Sequence, residues 1–213
     1  LFGQQTYVPD DVFEAYCENM GWGNGVPYDN YVSSSSISSV QDLNLSGVGS
    51  GLEDLTGIKD FTSLTSLNFG HDGSLKKIDI SNHTNIESID IDGGFFMNDT
   101  LEIDVSGCSN LRYLFCPRNN ILDLNLSGCT SLQILGCEIN KIKVLDLSNK
   151  PNLTMLNGSL NCLECVSFIN TPLNQVAGQL LENNPNSPSA GPATCGSLMC
   201  IEGDPSIPSA PGQ

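Results

Sequence analysis

Three consecutive segments of this chain align without a gap at a spacing of 21 residues: LRYLFCPRNNILDLNLSGCTS from Leu111, LQILGCEINKIKVLDLSNKPN from Leu132 and LTMLNGSLNCLECVSFINTPL from Leu153. Their consensus is L-x-x-L-x-C-x-x-N-x-I/L-x-x-L-x-L. Looser copies begin at Leu64 and Ile86, the second with an insertion around Gly93–Thr100, and a partial copy, VQDLNLSG, occupies Val40–Gly47. A fixed period of this length marks a stack of similar coils.

The apolar positions alternate at the end of each L-x-x-L-x-L run, which places them on one face of a short strand. A single coil cannot bury that face, but coils stacked at about 4.8 Å, the strand spacing, build a continuous core. Leu111, Leu132 and Leu153 form one inward column, and Leu114, Leu135 and Leu156 another. Leu124, Leu145 and Val166, beside Leu126, Leu147 and Phe168, form the opposite wall, which also reads as short strands. Asn119, Asn140 and Asn161 recur at the bend, where a buried amide satisfies backbone groups of two coils.

The 21-residue unit resembles the leucine-rich repeats of Bacteroidetes surface proteins, LxxLxCxxNxLxxLDLSxN. The stretch from Tyr7 to Val32 (YVPDDVFEAYCENMGWGNG…DNYV) is similar to the cap that precedes such arrays, and Asp54–Phe69 to a first full unit. The resemblance covers about residues 6–175. It implies a mainly β leucine-rich-repeat solenoid with short parallel strands on both walls and an α-helical N-terminal cap, in an exported protein carried beside other modules.

The expected organisation is a cap over 1–39, a solenoid over 40–175 and a Pro/Ser-rich C-terminal cap and tail over 176–213. Residues 9–21 read as a helix, with Asp10 or Asp11 as its cap, Glu14 at capping-box spacing from Asp11, and Gly21 as its stop. Trp22 belongs with that cap. The chain begins with Leu and shows no signal-peptide pattern, which suggests a processed or trimmed form.

Of the nine cysteines, Cys17 lies on the apolar stripe of the N-terminal helix and the other eight fall into three environments. Cys116 and Cys137 take the third inward strand position and read as buried free thiols. Cys108 and Cys129 stack in the SGC turn. Cys162 and Cys165 flank the inward Leu163 and point outward on the last repeat. With Cys195 and Cys200 they are disulfide candidates that tie the tail over the open end, with the pairing undetermined. Such bridges need an oxidising compartment. The C-x2-C and C-x4-C spacings also suit zinc, but with only His71 and His83 in the chain no metal site is expected.

Twenty-four acidic against eight basic residues give a formal charge of −16. That excludes nucleic acid, whose phosphates need Lys and Arg. No apolar run approaches the ~20 residues of a membrane helix. Neither His belongs to a Ser–His–Asp or Cys–His set, and no phosphate loop, G-x-S-x-G or H-E-x-x-H occurs. The expectation is therefore a non-enzyme without cofactors.

Asp79, Asp104 and Asp146, with Asn125, recur between inward residues of the second strand and read as a solvated ladder. Calcium is the alternative there, and Asp90 and Asp92 in DIDGG are weak calcium candidates. The first strand is more informative. Tyr113, Ile134 and Met155 form one outward column, and Phe115, Gly136 and Asn157 the next, with Phe95 and Phe96 of the insertion at its edge. Apolar side chains facing water on successive coils mark a contact surface. The expected function is extracellular recognition of a protein or glycan through this face, in a secreted or cell-surface protein. The alternative is a structural or self-assembling spacer that forms homo-oligomers.

Overall fold

A computed structural model describes residues 3–48, 51–71, 74–93, 100–172, 177–179 and 200–202. The chain enters through a cap. Strand β1 (Gln5–Tyr7) pairs antiparallel with β2 (Tyr31–Ser33), helix α1 (Asp11–Asn19) packs beside β2, and a single turn, α2 (Ser34–Ile37), delivers the buried Ile37. Asp10 starts α1: its Oδ1 accepts from the backbone N–H of Val12 at 2.9 Å and Phe13 at 2.8 Å. Its Oδ2 accepts from Glu53 and Asp54 at 2.7 and 3.0 Å, so one carboxylate both caps the helix and ties it to the first coil.

The helix is shorter than residues 9–21, ending before Met20 and the left-handed Gly21 (φ 77°). Glu14 does not close a capping box. It is fully buried, and its two oxygens accept from the backbone N–H groups of Asp29 and Asn30, each at 3.1 Å. The loop following the helix presents bare donors there, and a buried carboxylate satisfies them at short range. Phe13 stacks on Phe61 at 5.9 Å, and Trp22 meets Phe61 edge-on at 6.1 Å, so aromatic rings cover the end of the first coil.

The solenoid follows. Its first wall is one parallel sheet in the order β3 (Asp42–Asn44), β4 (Ser66–His71), β6 (Ser88–Gly93), β8 (Tyr113–Phe115), β9 (Ile134–Gly136), β11 (Met155–Asn157), β13 (Ala177–Gln179). Leu43, Leu67, Ile89, Leu114, Leu135 and Leu156 stand in register across it, all buried. The last three are 21 residues apart, so the sequence period equals one coil.

The second wall is interrupted. There β5 (Lys77–Asp79) pairs with β7 (Glu102–Asp104), and β10 (Val144–Asp146) with β12 (Cys165–Ser167) and then β14 (Cys200–Glu202). In the coil between them the strand expected around Leu124 is reduced to a single bridge, Asp104 to Asn125. Its inward residues Leu124 and Leu126 are nonetheless buried. Packing thus holds the coil in register where hydrogen bonding does not.

Two turns close each coil. After the second wall, Asp79, Asp104, Asn125 and Asp146 each accept from the backbone N–H two residues on, of Ser81, Ser106, Ser127 and Ser148, at 2.8 to 3.1 Å. These side chains therefore close Asx turns instead of standing as a free ladder. The next position is Asn82, Gly107, Gly128, Asn149 or Asn170, all left-handed (φ 58° to 78°), where Asn and Gly carry little steric penalty.

At the other turn the buried amides link coils. Asn140 Oδ1 accepts from Asn119 N and Ile121 N, both at 3.0 Å, and its Nδ2 donates to the carbonyls of Cys116, Cys137 and Glu138 at 2.9 to 3.3 Å. Asn161 repeats this one coil on, accepting from Ile142 N and donating to Cys137, Gly158 and Ser159.

Five cysteines, Cys17, Cys108, Cys116, Cys129 and Cys137, are buried free thiols. Burial pushes Cys17, Cys129 and Cys137 up to about 12, Cys108 to about 11, and Cys116 well above its ordinary value. Thiolate is the reactive form. The native protein at pH 8 is therefore expected to leave these five unlabelled by a disulfide reagent, and to label all of them once unfolded in guanidinium. Rapid labelling of any of the five in native protein would contradict this packing.

Candidate functional site

The first wall's outward residues change character along the stack. In one column Asp42, Ser66 and Ser88 give way to Tyr113, Ile134 and Met155. In the next, Asn44, Asn68 and Asp90 give way to Phe115, Gly136 and Asn157. The cap half of the face is polar or acidic, and the distal half is apolar. Met155 is 50% exposed and Phe115 36%, while Tyr113 and Ile134 are half-buried. The parallel register brings Tyr113, Ile134 and Met155 side by side on neighbouring strands. Phe95 and Phe96 lie outside the described residues.

The patch is held in place by its surroundings. Phe115 lies across Gly136, where an added Cβ would come within 2.9 Å of the ring Cδ1. Glycine at that position gives the aromatic ring a flat seat on the next strand. The Arg112 guanidinium carbon stands 5.6 Å from the centre of the Tyr113 ring, and Arg112 also pairs with Glu87 at 3.9 Å. With its oxygen turned toward Arg112, the Gln133 amide accepts from Nε and Nη2 at 3.2 and 3.3 Å. Arg112, Glu87 and Gln133 beside the Tyr113 ring are thus engaged with one another.

The acidic candidates sit at the edge of this face. Asp90 is exposed in the strand beside Phe115, and burial together with the neighbouring Asp92 raises its carboxyl above the usual carboxylate range. Asp92 pairs with Arg118, whose Nε donates to Asp92 Oδ1 at 2.9 Å. An arginine therefore occupies the second carboxylate of the DIDGG pair. Among the described residues no group of three or more His, Cys, Asp or Glu is placed to hold a metal.

Asp79 and Asp146 are committed to their turns. Burial alone would raise Asp79, but Lys59, at 2.7 Å, and Ser81 outweigh it and hold the carboxyl low. Hydrogen bonds from Ser148 do the same for Asp146. Cys162 and Cys165 lie half-buried on the last coil, on either side of the buried Leu163. Cys195 and the side chain of Cys200 lie outside the described residues.

No protein-family model matches the chain, and no curated protein does. Among solved structures it is similar to the functional domain of InlJ from Listeria monocytogenes, which includes a cysteine ladder. Identity is 18%, the match covers 86% of this chain, and the TM-score is 0.34. The chain spans 63% of the length of that structure. The stacked registers, the paired walls and the asparagine column identify a leucine-rich-repeat solenoid without help from so distant a likeness.

Some exposed apolar residues escaped the sequence reading. On the second wall Leu122 and Val144 are 56% and 54% exposed where strand pairing is interrupted, and Leu122 lines a groove of about 410 Å³ with Leu101, Glu102 and Asp104. The available signal was Val144 in a column where the preceding coils carry Lys77, Glu102 and Asp123. Ile139 and Leu160, at the turn following the first wall, are also exposed. No helix among the described residues is long and apolar enough to cross a membrane.

Proposed function

We propose that this chain is a non-catalytic recognition module that binds a macromolecular partner, a protein before a glycan, through the outer surface of β8, β9 and β11. The observation that carries this reading is the contiguous apolar patch of Tyr113, Phe115, Ile134 and Met155 on an otherwise acidic molecule. Water disfavours such a patch, and its aromatic and Met side chains are those that interfaces concentrate at their centres. A self-assembling role would use the same face, but a formal charge of −16 opposes bringing two copies together.

The setting we infer is extracellular, on a bacterial surface. The repeat's resemblance to those of Bacteroidetes surface proteins supports it. So would two disulfides among Cys162, Cys165, Cys195 and Cys200, which would tie the tail to the last coil and persist only under oxidising conditions. Calcium is not needed for this reading.

The test is an array of immobilised proteins and glycans probed with wild type and with the Tyr113→Ala/Phe115→Ala double variant. The variant is expected to lose about tenfold or more in affinity for the ligands that wild type retains, at a Tm within a few degrees of wild type. Equal binding by the two proteins would remove this face as the site.

A further inference from the structure

The coil uses a left-handed residue at both of its turns but fills the two differently. After the second wall the residue is always Asn or Gly. After the first wall it is Arg118, Ile139 or Leu160, with φ of 60°, 56° and 55°. For a β-branched Ile this is an outlier region, and both apolar side chains are also open to water, Ile139 at 39% and Leu160 at 43%. The backbone explains the conformation: Arg118 N donates to Glu138 O at 3.1 Å and Ile139 N to Ser159 O at 3.0 Å, which stacks the three turns. It does not explain the side chains, because Asn would keep both bonds and suit the φ angle better.

Between wall and rim stands Glu138. One of its carboxylate oxygens is shielded from solvent and meets no donor, and it lies 3.4 Å from where a Cβ on Gly136 would be, beside the Phe115 ring. No ion pair is formed by Glu138 among the described residues, and Arg112 and Arg118 are each paired with another carboxylate, Glu87 and Asp92.

We propose that Ile139, Leu160 and Glu138 extend the recognition face over its rim, and that its occupant is a polypeptide segment carrying apolar side chains next to Lys or Arg. The apolar groups would lie on the wall patch and on Ile139 and Leu160, and the cation would meet Glu138. This inference rests on the reading of the first wall as the recognition face. The acidic balance of the whole chain favours the same partner.

The test uses three immobilised libraries of short peptides in which apolar residues alternate with Lys or Arg, with Glu, or with Ser. Wild type is expected to select the Lys/Arg library. Ile139→Asn/Leu160→Asn should weaken that binding about tenfold or more at a Tm equal to or above wild type, since the turns are relieved. Glu138→Gln should weaken it and flatten its dependence on salt.

If Ile139→Asn/Leu160→Asn binds like wild type while Tyr113→Ala/Phe115→Ala does not, the rim is excluded and the wall reading stands. If neither double variant weakens binding, the wall reading fails as well. A lowered Tm in the rim variant would make Ile139 and Leu160 structural and overturn the proposal. So would wild-type selection of the Glu or Ser library, or of none.

Discussion

Replacing Asn140 by leucine is expected to remove about 4 kcal/mol of folding stability, from at least two orphaned buried donors at roughly 1–3 kcal/mol each together with weakened carbonyl pairing. Leucine has nearly the same shape, so the loss is one of hydrogen bonding. The amide oxygen is the partner of Asn119 N and Ile121 N, and the amide nitrogen serves three carbonyls from two coils. The two backbone donors and the Cys116 and Cys137 carbonyls face the interior, where water cannot replace the amide.

Asn119 provides an internal comparison. Its Nδ2 donates to Ile91 O and Pro117 O, but its Oδ1 meets no donor among the described residues. Asn119→Leu therefore strands no backbone N–H and should cost clearly less, on the order of 1–2 kcal/mol. Guanidinium unfolding of both variants checks the order. A cost for Asn140→Leu below about 1 kcal/mol, or equal costs at the two sites, would contradict a column of amides that links coils.

Leu135→Ala should be the other severe change, costing about 2–5 kcal/mol. Leu135 is fully buried and stands in register between Leu114 and Leu156, so its removal leaves a cavity bounded by two further coils that cannot collapse without breaking their strand pairing. Its neighbour in the primary pattern behaves oppositely. Met155 lies half in solvent on the other side of the same sheet, and its truncation should change stability by less than about 1 kcal/mol. Comparable unfolding midpoints for Leu135→Ala and Met155→Ala would show that the inward and outward columns had been confused. The contrast also explains how a repeat protein varies its outer face while keeping its fold: the two sets of positions alternate along the strand and share no packing.

The inward columns were readable from the sequence because burial imposes one residue type at a fixed interval. Leu114, Leu135 and Leu156, the inward Cys116 and Cys137, and the outward order Tyr113, Ile134, Met155 all follow from alternation and period. What could not be read depends on backbone geometry. Glu14 sits at a spacing that fits a capping box, yet the bare donors of Asp29 and Asn30, fifteen and sixteen residues away, claim it. The Asp79, Asp104 and Asp146 row alternates outward as solvated residues do, but each carboxylate turns back onto a Ser N–H two residues on.

The rim was invisible for a related reason. Arg118 breaks the apolar character that Ile139 and Leu160 share, so no pattern flags their column, and only the positive φ angles show that the three occupy one conformation. The interruption of the second wall is likewise silent in the repeat, because the inward Leu124 keeps its place while the ladder beside it is lost.

The most direct test of the recognition face compares two matched substitutions, Met155→Arg and Val144→Arg. The residues stand outward on strands of opposite walls and are almost equally exposed, at 50% and 54%, so arginine should disturb the fold equally little at each. Binding is measured to the ligands that wild type retains on the protein and glycan array. The account predicts that Met155→Arg abolishes retention and Val144→Arg leaves it intact. Loss of binding in Val144→Arg with retention in Met155→Arg would place the site on the opposite wall and contradict it.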